Sequence, residues 1–134
     1  MPEHSPTSLI DKLGIRPGQR VVVMRAPAEY APVVEVIARR ATLLRRLGGR
    51  FDVVQYFVTS LEQLGAVMPN LANNLVPGGM LWICWIKQAS PRHSGVTENA
   101  VRAAGLAAGL VDVKVAAISD DWSGLKFVYR LKDR

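Results

Sequence analysis

The chain is poor in the residues that staple or metal-clip a fold: it has one cysteine, Cys84, and two histidines in 134 residues. A single thiol excludes a disulfide framework within the chain. Because Cys84 sits inside the most apolar stretch, it reads as a small buried hydrophobe and an inert thiol. His4 and His93 are far apart in sequence, and no cluster of soft ligands surrounds either, so no metal site is expected. His93 lies in a Ser-, Pro- and Gly-bearing loop with no partner fixed by spacing. No catalytic residue is assigned. No apolar run approaches the roughly 20 residues that span a bilayer. The opening MPEHSPTSLIDKLG lacks both the basic start and the apolar core of a signal peptide. The expectation is a cytoplasmic protein without a membrane partner. Repeats, low-complexity tracts and linkers are absent too, so one domain over residues 1–134 is expected, large enough to bury its own core.

Acidic residues are scarce where basic ones gather. The net charge is +6, and residues 1–50 hold nine Lys or Arg against four Asp or Glu. Arg39, Arg40, Arg45, Arg46 and Arg50 follow one another with no acid between them. Such a patch suits a polyanion such as nucleic acid, or it is simply a solvated face. Aromatic residues do not interleave it, so the stacking that single-strand binders use is missing.

What is present is a strongly apolar pair of segments. Residues 75–86, LVPGGMLWICWI, begin with a Pro-Gly-Gly turn and continue apolar on both faces, as a central strand covered on both sides must. Trp82, Cys84 and Ile86 fall on one face, and Leu81, Ile83 and Trp85 on the other. FDVVQYFV, residues 51–58, is a second such strand. Both faces therefore need helices.

Around these, residues 5–14 read as a short helix with Ser5 or Thr7 as cap and Gly14 as a left-handed stop. RVVVM (20–24) is a strand that ends at Arg25-Ala26-Pro27. Helical spacing starts near Tyr30 and runs to Arg40, with Pro32 in the first turn. Residues 41–45 suit a short edge strand or a continuation of that helix, and the strand is preferred. Thr59 and Ser60 present oxygens to a new helix, with Glu62 and Gln63 placed to close a capping box. Pro69 is expected to kink or divide that helix into 61–68 and 69–75. After a polar loop, 87–96, Thr97 caps a helix that Gly109 ends. Strands over 111–118 and 125–131, joined by SDDWSG, form an antiparallel pair. The order is that of a three-layer α/β sandwich, mostly parallel, closed by an antiparallel hairpin.

Several segments resemble class I S-adenosylmethionine-dependent methyltransferases. LGIRPGQRVVVM is similar to the entry to their first strand and FDVVQYFV to their fourth. LANNLVPGGMLWICW is similar to the helix, turn and fifth strand that follow. TENAVRAAGLAAGLVDVKVAAIS with WSGLKFVYRL resembles the last helix and closing hairpin, and the TEN and WSG segments also resemble a small bacterial family of abbreviated methyltransferase-like proteins. The resemblance covers nearly the whole chain and implies a Rossmann-like, methyltransferase-type sheet.

The cofactor positions depart from that pattern. The loop after the first strand, residues 25–30, has no glycine to let backbone approach a ligand. Where the family places an acid for the ribose hydroxyls stand Arg45 and Arg46, which cannot accept a hydrogen bond. Thr59 and Ser60 are the only polar residues directly after the strand matching the fourth. The 24–51 interval is too short for two strand-helix units, so one strand of the cofactor half is expected to be missing. The reading that follows is a non-catalytic binding or regulatory module, not an enzyme, without S-adenosylmethionine or other cofactor, whose partner is another protein or a second copy of the chain. The alternatives are a divergent methyltransferase and, third, a nucleic-acid binder using Arg39 to Arg50.

Ligands in such sheets collect at the carboxyl ends of the strands. That nominates Arg25, Tyr30, Thr59, Lys87 and Trp122 as ligand-binding residues. Arg25 and Lys87 suit an anion or are ordinary solvated loop ends. Trp122 offers a surface or plugs the hairpin. Asn99 follows the cap Thr97 and is a secondary candidate.

Overall fold

The computed structural model describes residues 5–134; His4 lies outside them. One six-stranded sheet carries four helices, and the chain threads it as α1 (Pro6–Leu13), β1 (Arg20–Met24), a 3-10 turn (Ala28–Tyr30), α2 (Ala31–Arg40), β2 (Thr42–Leu44), β3 (Phe51–Phe57), α3 (Leu61–Asn73), β4 (Leu75–Ile86), α4 (Glu98–Ala107), β5 (Leu110–Ala117) and β6 (Trp122–Tyr129). The strand order is β2-β1-β3-β4-β6-β5. The four strands from β2 to β4 are parallel, whereas β6 runs antiparallel to both β4 and β5. This is the mostly parallel Rossmann-like sheet with a closing antiparallel hairpin. Residues 42–44 form the edge strand, and among the described residues no strand stands beyond it.

The alternation read along β4 is realised. Leu81, Ile83 and Trp85 join Leu64, Met68 and Leu71 of α3 and Val101 of α4 in one core layer. Trp82, Cys84 and Ile86 join Leu9, Ile10 and Leu13 of α1 and Val33 and Ile37 of α2 in the other. Each helix has one apolar face, and a sheet whose strands are apolar on both sides has somewhere to put all of them.

Local chemistry explains most boundaries. Ser5 Oγ accepts from the Ser8 N–H, and Gly14 stops α1 in the left-handed region at φ 82°. Ser60 caps α3 by accepting from Gln63, while Gln63 Oε1 reaches back to the Thr59 N–H. Thr97 Oγ1 caps α4.

Three elements differ from the sequence reading. Pro69 neither divides nor ends α3, which runs unbroken to Asn73 because Leu64 and Met68 before the proline and Leu71 and Ala72 after it all bury against the sheet. Packing on both sides outweighs the local cost of the ring. The Pro-Gly-Gly segment is a bulge inside β4 and not a turn before it: the register with β3 jumps from Phe51↔Leu75 to Val53↔Met80. The last strand starts three residues early, at Trp122, because Trp122 pairs with Ile86 and its ring is buried.

Gly79 is required at the bulge. A Cβ there would stand 2.9 Å from Phe51 O and 3.0 Å from Val76 O, both rigid backbone. Gly79→Ala is expected to destabilise by ~1–3 kcal/mol, the usual cost of overpacking, read as a lower midpoint in urea. Gly78→Ala has nothing within 4 Å of its new methyl and serves as the neutral control.

Candidate functional site

The chain moves outward from β1 to β2 and then returns to place β3 on the other side of β1, so the sheet reverses direction between β1 and β3. Loops diverge at such a point, and the carboxyl ends of the strands there form the natural crevice. Its walls are the loop after Met24, the Thr59-Ser60 corner after β3, the loop after Ile86 and the β5–β6 connection.

Arg25 leaves β1 at φ 60°, the one non-glycine residue in the left-handed region among the described residues. The chain thus makes, with an arginine, a bend that a glycine would make without strain. The 3-10 turn that follows carries Tyr30 inward to 4 % exposure. Its hydroxyl donates to Gln55 Oε1 at 2.8 Å, and Gln55 Nε2 donates to Cys84 Sγ at 3.5 Å. Gln55 is the buried polar side chain of β3, and this short polar chain satisfies it. Burial pushes the Cys84 thiol up to about 12 and raises the Tyr30 phenol above its ordinary value, so both stay neutral. The Phe57 ring stands edge-on to Tyr30 at 4.9 Å and to Trp122 at 5.1 Å between centroids. Tyr30, Phe57 and Trp122 therefore pack edge to face as a buried aromatic floor beneath the strand ends of β3 and β4.

A polar strap crosses above that floor. Arg92 Nη1 bonds Glu29 Oε2 at 2.5 Å, on the loop after β1, and lies 3.4 Å from Asp121 Oδ2 on the far side. Ser90 Oγ donates to Asp121 Oδ1 at 3.0 Å, and the Lys87 N–H donates to Asp121 O at 2.8 Å. The Arg92 guanidinium holds the Glu29 carboxyl below the usual carboxylate range. Because that folded-state value is lowered, the pair is intact at neutral pH and is lost as the pH falls through it.

Open space lies beside the floor, on the β2 side. A cleft of about 200 Å³ runs between the ends of β1 and β2, lined by Val23, Ala26, Val34, Leu43, Leu44 and Arg45. Five of the six lining residues are apolar and the sixth is Arg45, a set that suits the flat face of a heteroaromatic base.

The nominated residues scatter around this frame. Tyr30 and Trp122 belong to the floor, Arg45 lines the cleft, and Arg25 and Thr59 are exposed on the loops after β1 and β3. Lys87 is separate: its ammonium donates to Ser119 O at 2.8 Å, and it borders a smaller cleft with Trp85 and Thr97 on the α4 side. Asn99 does not join the site, since Arg102 binds it on the outside of α4 together with Glu98 and Asp112. Of the arginine cluster, Arg40 is paired to Asp11 at 2.6 Å and Arg50 donates to Leu75 O, so both hold the fold together. Arg39, Arg45 and Arg46 are exposed. The sequence reading placed Glu29, Arg92 and Asp121 on strand-end loops but did not join them into a strap, which no spacing announces, and it missed Gln55, whose signal was a lone amide in an apolar strand. Among the described residues no three His, Cys, Asp or Glu gather as for a metal, and no helix is long and apolar enough to cross a membrane.

The mostly parallel sheet with its closing antiparallel hairpin is a Rossmann-like, methyltransferase-type fold, and the comparisons agree on the fold. No family model matches the chain, and no curated protein sequence does. Solved structures do. The magnesium protoporphyrin IX methyltransferase of Synechocystis PCC 6803, with S-adenosylhomocysteine bound, is 11 % identical over 93 % of this chain and 83 % of its own, with a TM-score of 0.63. A methyltransferase of Aquifex aeolicus dependent on S-adenosylmethionine is 13 % identical over 92 % and 89 %, with a TM-score of 0.64. The CcbJ methyltransferase of Streptomyces caelestis is 10 % identical over 97 % of both chains, with a TM-score of 0.61. At such identities the likeness is one of fold, and it matches the resemblance read from the sequence.

These neighbours correct three expectations: a non-catalytic module, no enzyme, and no cofactor. They rested on the absent glycines of residues 25–30, on Arg45 and Arg46, on finding only Thr59 and Ser60 after the strand matching the fourth, and on the short 24–51 interval. In the structure Arg25 itself makes the left-handed bend after β1, and the cleft on the β2 side is lined by side chains.

Proposed function

We propose that the chain is a divergent S-adenosylmethionine-dependent methyltransferase whose cofactor lies across the carboxyl ends of β1 and β3. The observation that carries the reading is the apolar cleft beside the point where the sheet reverses; the methyltransferase neighbours of the same fold support it.

The residues present fit such a group. Val23, Ala26, Val34, Leu43 and Leu44 would take the adenine face, with the Arg45 guanidinium over its edge. Glu29, exposed on the loop after β1, would take the ribose hydroxyls, in place of an acid at the end of β2. When bound, the cofactor supplies an electrophilic methyl group on sulfur. The chain's contribution is positioning and exclusion of water: Tyr30, Phe57 and Trp122 form a dry floor, and the Arg92 strap closes over it. The cytoplasm is the compartment that goes with this reading, since Cys84 is buried and unpaired.

A thermal-shift titration with S-adenosylmethionine and S-adenosylhomocysteine tests it. At 100 times the dissociation constant a ligand adds ~2.7 kcal/mol, which for this size raises the midpoint by roughly 10 °C. An unmoved midpoint with both, at millimolar concentration, rejects the proposal. Leu43→Arg, which fills the cleft, should abolish the shift.

A further inference from the structure

Among the described residues two buried polar atoms, Trp122 Nε1 and His93 Nδ1, have no hydrogen-bond partner. Trp122 is 3 % exposed, and a buried N–H left unmade carries its full desolvation cost. The fold does not orphan indoles in general: Trp82 Nε1 donates to Leu13 O at 3.0 Å. Both orphaned atoms lie in one knot of chain. The His93 N–H donates to Ser90 O, and Ser90 Oγ donates to Asp121, the neighbour of Trp122. From the same knot Arg92 reaches across the crevice to a carboxylate, that of Glu29.

We propose that Arg92 and the Trp122 indole N–H receive the carboxylate of the cofactor's amino-acid part, Arg92 exchanging Glu29 for it. The inference rests on the cofactor reading above. An arginine fork is shaped for a carboxylate, and the Glu29 side chain already stands where a ligand's would compete. The loop after β1 has no glycine to bring backbone amides close, so the anionic end is met from the opposite wall by side chains. From the β1–β2 cleft to the β4–β6 pair is three strand spacings, about 14 Å, a span that an extended nucleoside joined to an amino acid covers.

The test compares S-adenosylhomocysteine with 5′-methylthioadenosine, which keeps the nucleoside thioether and lacks the carboxylate. Calorimetric titration of the wild type, Arg92→Gln and Trp122→Phe should show that each variant loses about tenfold or more in affinity for the first ligand, the value of one charge-assisted bond, and keeps its affinity for the second. In ¹H–¹⁵N spectra the Trp122 indole signal should move with S-adenosylhomocysteine and stay put with 5′-methylthioadenosine, while the Trp82 signal is still with both. Trp122→Phe removes an orphaned donor and keeps the ring beside Phe57, so its melting temperature should equal or exceed that of the wild type. If both ligands bind every variant as they bind the wild type, or the Trp122 signal ignores S-adenosylhomocysteine, the carboxylate assignment falls and the cofactor reading stands. If neither ligand binds the wild type, both fall.

Discussion

Trp82→Ala should be the most damaging single truncation in this chain, costing ~3–5 kcal/mol and more than about 10 °C in melting temperature. Trp82 is fully buried at the centre of β4, in the layer beneath α1. Its indole donates to Leu13 O at the last turn of α1, so it both fills the space under that helix and satisfies one of its end carbonyls. Alanine leaves a cavity in a layer whose neighbours, Ile10, Leu13 and Ile118, sit on separate elements and cannot all collapse into it. Trp82→Phe separates the two contributions: it keeps most of the volume and loses the bond, at a cost of about 1 kcal/mol. Urea unfolding followed by far-UV circular dichroism reads both, and a loss for Trp82→Ala below ~1.5 kcal/mol would show that α1 does not depend on this side chain.

Gly105→Ala should destabilise as strongly as many core truncations, against the helix propensity scale. In an exposed helix the change gains ~1 kcal/mol. Gly105 of α4, however, is buried against β6, and a methyl there would stand 2.0 Å from Phe127 Cε1, 2.4 Å from its Cζ and 2.6 Å from its Cδ1. Phe127 is itself fully buried in the α3 and α4 layer, so the ring has nowhere to swing. Either α4 lifts from the sheet or the ring leaves its rotamer, and overpacking of this kind costs up to ~3 kcal/mol or more. The net loss is therefore about 2 kcal/mol. Phe127→Leu makes the test sharp: it opens the space, so the double variant should lose less than the sum of the two single ones. Strict additivity would mean that the two residues do not meet.

Several features are legible in the sequence because their causes are local. The stretch Leu81–Ile86 is apolar at every position, which has one economical meaning in a sheet: both sides are covered. Ser60, Thr97 and Gly14 mark helix ends by the hydrogen bonds and the left-handed bend they supply. The edge strand at Thr42–Leu44 was readable from β-branched and apolar residues ahead of a Gly-Gly turn. The crevice was only half legible. Tyr30, Arg25, Thr59 and Trp122 were nominated because topology sends strand ends to one rim, but the sequence reading placed Trp122 in a loop when it opens β6.

By itself, then, the sequence determined the layers, the near-complete element order and the strand ends that border the crevice, since periodicity, caps and turn residues act over three or four positions. Tertiary structure alone decided the rest. It kept α3 whole through Pro69 by burying both sides of the break, turned Pro-Gly-Gly into a bulge by pairing around it, and joined Arg92 to Glu29 across 63 positions of chain. It also put the open cleft on the β2 side, where side chains and not glycines form the wall. Contacts between distant segments depend on how whole elements pack, and no local pattern in either segment encodes its partner.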